Sequence, residues 1–128
     1  MPTLQALQDA AAVYNHQFQD LTARIYEDGF VSCQEATEGT RYYRGTRPHL
    51  RRVHRMIRAQ IVTLYHQNQR LVKQSAQTPA GANEILRPHH TTLHDFDKLL
   101  NDSLVMLKIF ADVLRDCPDE TIRTEQEA

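Results

Sequence analysis

Eighteen consecutive residues, RYYRGTRPHLRRVHRMIR from 41 to 58, carry seven arginines and two histidines and no carboxylate. Guanidinium groups in such number fork onto the phosphates or carboxylates of a partner, a task that suits them better than lysine. Alternatively they pair with acids of their own chain, in surface ion pairs that each contribute little. Tyr42 and Tyr43, beside Arg41 and Arg44, add stacking on unpaired bases, as aromatic rings do within the basic grooves of single-strand binders. A second stretch, RPHHTTLHDFD, sets His90 and His94 four residues apart, a helical spacing at which two imidazoles share a metal. The remaining ligands do not follow: His54 is succeeded four residues later by Arg58 instead of an acid. No metal site is expected. Cys33 and Cys117 stand beside no recognisable base or nucleophile turn, and no glycine-rich phosphate loop occurs, so neither an enzyme nor a cofactor is expected.

Charge is distributed in blocks. Residues 1–40 hold six acids and one arginine, residues 41–83 hold eight arginines and one lysine with no acid, and residues 84–128 hold ten acids against five basic groups. The formal net charge of −1 conceals a basic middle between two acidic flanks. With Ile57 facing a core, Arg51, Arg55 and Arg58 fall on the opposite side of a helix, followed by His66 and Lys73. Acids able to cover that stripe from a linker or tail are Glu35, Glu38, Glu120, Glu125 and Glu127.

The elements that position these groups read as helices. Leu4, Leu7, Ala11, Tyr14, Phe18, Leu21 and Ile25 alternate three and four steps along one stripe, capped by Thr3 and ended at Gly29, where a positive φ is cheap. A second helix is expected over about 47–75, opened by Thr46 with Pro48 in its first turn and carrying Leu50, Val53, Ile57, Ile61, Leu64 and Leu71 inward. The third has Leu86, Leu93, Leu100, Leu107 and Leu114 at every seventh position, with Phe96, Ser103, Phe110 and Cys117 between them. Its start is placed near Pro88, where a proline loses no bond the helix needs. Ser32 and Glu35 have capping-box spacing, so a short extra helix is expected near 33–38 in the first linker. The fold class is therefore all-α: an elongated antiparallel three-helix bundle over residues 1–117, with a flexible acidic tail over 118–128. An intermolecular coiled coil is disfavoured by turn signals between the helices and by glutamine at 60, 67 and 74.

With Leu107 taken as the centre of the third helix's core stripe, Val105, Met106, Ile109 and Val113 extend the apolar surface around its far side. They are expected to form an interface, most simply a homodimer, unless the 29–46 linker covers them. The N-terminus lacks the basic start and apolar run of a secretion signal, no apolar run approaches the roughly 20 residues of a membrane span, and the cysteines lie far apart in sequence. A soluble protein in a reducing, cytoplasmic setting is expected. The functional expectation is a non-enzymatic interaction module, an adaptor, chaperone-like or regulatory subunit. One face is basic (Arg41, Arg44, Arg47, Arg51, Arg55, Arg58) and one is apolar, with an acidic protein as the partner. The alternatives are nucleic-acid binding through residues 41–58 and metal binding through His90 and His94.

Overall fold

The computed structural model describes residues 2–27 and 29–118. They form α1 (Leu4–Ile25), α2 (Cys33–Lys73) and α3 (Pro79–Arg115), with no strand among the described residues. The expected acidic tail, apart from Pro118, lies outside the described residues. At 1.5 Å per residue α2 and α3 are roughly 60 and 55 Å long and α1 only about 33 Å. The two long helices make an antiparallel hairpin that packs extensively, and α1 lies along one side of it.

Local chemistry sets each helix start. The Thr3 hydroxyl accepts from the Ala6 amide at 3.1 Å. Ser32 and Glu35 form the expected capping box, the Ser32 hydroxyl accepting from the Glu35 amide and the Glu35 carboxylate accepting from the Ser32 amide. The helix that this box opens does not stop after one turn, however. It continues to Lys73, so the separate helix expected at 33–38 is the first part of α2, and Pro48 lies inside α2 instead of in its first turn. Between Ala36 and Arg47 it is Gly39 and Gly45 that oppose helix most, at about 1 kcal/mol each, and packing against α3 outweighs them. Similarly α3 begins at Pro79, with the Thr78 hydroxyl accepting from the Gly81 amide at 3.0 Å, so Pro88 is interior. Both prolines fit a first turn; the capping threonine decides between them.

Helix α1 ends at Ile25 with Tyr26 as its C-cap, short of the expected end at Gly29, which takes a positive φ of 82° in the turn that follows. At the end of α2 the residue after the C-cap, Ser75, takes φ 60°, with the Ala76 and Ser75 amides donating to the Leu71 and Val72 carbonyls in a Schellman turn. A side chain in that conformation costs about 1–2 kcal/mol. Ser75→Gly should therefore raise the urea midpoint, by about 1 kcal/mol in stability; an unchanged midpoint would mean that Ser75 is not strained.

The core joins Leu7, Ala11, Phe18 and Ile25 of α1, Ala36, Tyr43, Leu50, Val53 and Ile57 of α2, and Phe96, Leu99, Met106 and Phe110 of α3. Phe18 stacks edge-on to Tyr43 at 4.9 Å, and Tyr43 meets Phe110 at 6.1 Å. The inward axis of α3 therefore runs through Phe96, Ser103 and Phe110, all fully buried, while Leu93, Leu100, Leu107 and Leu114 flank it half-buried. This corrects the placement of the core centre at Leu107. Apolar residues cover a wide arc of α3: Leu86 and Leu99 are buried, while the heptad leucines from Leu93 onward flank the arc's midpoint; on α2, Leu71 of the expected inward stripe is exposed instead.

The hairpin is held along its length. Cys33 and Cys117, 84 residues apart in sequence, are joined by a disulfide with Cα atoms 5.9 Å apart, which overturns the expectation of two separate thiols. Gly39 meets Phe110, Arg47 meets Ser103, His54 meets Asp97, and the buried Asn68 donates to the Ala82 carbonyl at 3.4 Å. The numbers of each pair total 149 to 151, so α2 and α3 keep one register from the disulfide to the turn.

Candidate interaction surface

The basic segment occupies the middle of α2, but its side chains divide. Arg47 turns inward: its guanidinium donates to the Leu100 carbonyl and the Ser103 hydroxyl, each at 2.7 Å, and that hydroxyl donates to the same carbonyl. Burial, and secondarily Arg51, lowers the Arg47 pKa from its usual value. Arg47 is thus a strut between α2 and α3, which corrects its placement on the partner-binding face. The strut satisfies a serine at the centre of the core, so Arg47→Ala should destabilise by about 1–2 kcal/mol in urea unfolding. A loss no larger than that of Arg55→Ala would show that Ser103 needs no partner.

Arg44, Arg51, Arg52, Arg55 and Arg58 are exposed, and none of them pairs with a described carboxylate. Arg41 is also exposed but has an interaction of its own. The expected neutralisation by neighbouring acidic helices is not the arrangement found among these five. The ion pairs Asp20–Arg24, Glu84–Arg87 and Asp112–Arg115 each stay within one helix. Of the acids expected to cover the stripe, Glu35 is used in the capping box and Glu38 accepts from Gln34, while Glu120, Glu125 and Glu127 lie outside the described residues.

The two tyrosines expected to stack on bases are committed elsewhere. Tyr43 is 1 % exposed, and burial pushes its hydroxyl up to about 12. Tyr42 is partly buried, packs on Phe18 and donates to the Gln17 side chain at 3.0 Å.

The apolar residues expected to form an interface are likewise divided. Met106 is in the core at 8 % exposure, and Ile109 and Val113 pack against that core, half-buried. Val105, at 57 % exposed, lines a cleft with Gln19, Thr22 and Ala23 of α1. Helix α1 packs along this flank, so of the four expected interface residues only Val105 is exposed.

His90 and His94 are exposed, and His54 contacts Asp97 at 2.5 Å. No group of three or more His, Cys, Asp or Glu side chains able to hold a metal occurs among the described residues. His89 faces a groove lined by Pro2, Leu4, Ala59, Gln60, Thr63, Leu64 and Gln67, and its buried Nδ1 has no partner. Burial, then the neighbouring His90, lowers the His89 pKa. The unfolded chain, with an ordinary histidine value near 6.5, therefore binds this proton first as pH falls. The stability tied to neutral His89 should be complete above about pH 6.5 and decline below it. A His89→Leu variant should lose stability less steeply between pH 7 and 5 in paired urea titrations; parallel slopes would exclude this histidine as the source.

Comparison with protein-family models, curated proteins and solved structures finds no match to this chain. Among the described residues no helix is long and apolar enough to cross a membrane.

Proposed function

We propose that the protein is a non-enzymatic helical interaction module whose arginine face on α2 binds an acidic protein partner. One observation carries this reading: five exposed arginines lie along a segment without acids, and no described carboxylate neutralises them. A row of unpaired guanidiniums is costly in self-repulsion and suits a partner that brings the missing charge. Both cysteines are bonded to each other, which removes the free thiols a nucleophilic enzyme would use. Nucleic acid is the second reading, carried by the length of the stripe, about 26 Å from residue 41 to 58 at the helical rise. The burial of Tyr42 and Tyr43 weighs against a single-strand form of it.

The test is retention of partners from native extract by wild type and by an Arg51→Gln, Arg55→Gln and Arg58→Gln variant, with and without nuclease. A partner held by the wild type, lost by the variant and unaffected by nuclease is the expected result. Nuclease-sensitive retention would transfer the surface to nucleic acid, and equal retention by both proteins would remove the arginines from function.

The same reading favours an oxidising compartment over the reducing cytoplasm, since disulfides of this kind persist in secreted, luminal or periplasmic settings. Non-reducing electrophoresis of trapped native protein should show the oxidised, faster-migrating form; a free-thiol form would return the protein to the cytoplasm.

A further inference from the structure

Two packed helices leave a groove on each side, and among the described residues α1 fills one of those of the α2–α3 hairpin and nothing fills the other. Tyr14, Gln17 and Phe18 reach His49, Tyr42 and Tyr43 of α2, and on α3 the α1 flank carries Asp95, Asp102 and Val105. The opposite groove is crossed at its floor by the Arg47–Leu100 and His54–Asp97 contacts. At about 100° per residue, Arg44, Arg51 and Arg58 fall on the side of α2 opposite Tyr42, and Leu93, Leu100 and Leu107 on the side of α3 opposite Asp102. Both triplets face this second groove. The constant register sets Arg44 level with Leu107, Arg51 with Leu100 and Arg58 with Leu93. These are three rungs one heptad apart, or about 10 Å at the helical rise. Leu104, 56 % exposed, extends the apolar wall outward.

We infer that this groove receives an amphipathic helix of a partner protein, with apolar residues at heptad spacing against the leucines and acids along the edge that meets Arg44, Arg51 and Arg58. The docked helix completes a four-helix bundle on the hairpin. Charge complementarity specifies the occupant: one wall is cationic and unpaired, so a helix with a basic or neutral edge would leave it unsatisfied, whereas glutamates would not. Heptad spacing on both walls selects a helix over an extended segment, whose side chains alternate at a different period. The inference rests on the proposed arginine face and adds to it a shape and an apolar requirement.

The experiment uses the full oxidised chain and a synthetic three-heptad peptide with leucine at the inward positions and glutamate along one edge, followed by fluorescence anisotropy. Its comparators are the same composition scrambled to remove the stripe, the striped peptide with lysine in place of glutamate, and a short DNA duplex. The striped acidic peptide should bind. Affinity should fall about tenfold or more with Arg51→Glu and with Leu104→Asp, as loss of an interface anchor does. Leu104 is largely exposed, so its variant should stay folded, and Leu104→Asn carries the test if helicity by circular dichroism falls. Equal binding of the scrambled peptide with no effect of the Leu104 variants would overturn the groove while leaving the arginine face intact. Binding of DNA alone would overturn the groove and move the face to nucleic acid. Failure of every anionic probe would overturn both.

Discussion

Reducing the Cys33–Cys117 bond should cost the protein about 4.5 kcal/mol of stability, the chain-entropy value for a closed loop of this length. The bond closes 84 residues of separation, the whole hairpin, so the unfolded oxidised chain is confined by about 1.5 kcal/mol more than a crosslink closing roughly 15 residues would confine it. On a domain of this size such a loss should shift the thermal midpoint by more than about 10 °C. Urea unfolding of oxidised protein, of reduced protein and of a Cys33→Ser and Cys117→Ser double variant measures it. Agreement between the last two assigns the effect to the crosslink and not to the thiols. A loss below about 1 kcal/mol would mean that the unfolded chain is already held compact or that native strain offsets the gain.

Gly39→Val should be strongly destabilising. A Cβ built on Gly39 lies 2.4 Å from Cε2 and 2.5 Å from Cζ of Phe110, and that ring is fully buried between Gly39 and Tyr43, with nowhere to retreat. Overpacking of this kind costs about 3 kcal/mol, against a helix-propensity gain that valine hardly supplies. The control is in the same helix. Gly45 has nothing within 4 Å of its Cβ position, so Gly45→Ala should instead stabilise by up to about 1 kcal/mol. A Gly39→Ala and Phe110→Leu pair should be less destabilised than the sum of its members, because the smaller side chain vacates the contested space. If Gly39→Val and Gly45→Ala changed stability alike, the close approach of α2 to α3 would not be the constraint.

Much of the architecture was legible in sequence because it depends on periodicity and capping. The stripe from Leu4 to Ile25, the Thr3 cap and the Ser32–Glu35 box all stand as read, and α2 ends within two residues of the expected end near 75. What escaped depended on neighbours. Gly39 and Gly45 look alike as helix breakers, yet one is required by a ring of another helix. The column of Phe96, Ser103 and Phe110 lies between the heptad leucines in sequence, and nothing in that spacing shows that it, and not Leu107, is the inward centre; the Ser103 hydroxyl is buried with Arg47 reaching across to it. The same contact removed Arg47 from the basic face. The pairing of Cys33 with Cys117 followed only once the linker proved helical, which extends α2 far enough back to bring its first residue level with the end of α3. The basic stripe itself was visible from composition, but its division into strut and free surface was not.

The position of the disulfide also governs how the molecule would bear tension. Pulled from its two ends, the chain transmits load directly from residue 33 to residue 117 across the sulfur–sulfur bond, so the hairpin between them is bypassed and carries no force. Helix α1, the one helix among the described residues that lies outside the closed loop, is the part that yields, peeling from its side while the two long helices stay docked. The oxidised protein therefore has a short, fixed extension limit and keeps its α2–α3 scaffold under strain, whereas the reduced protein would unravel along its full contour.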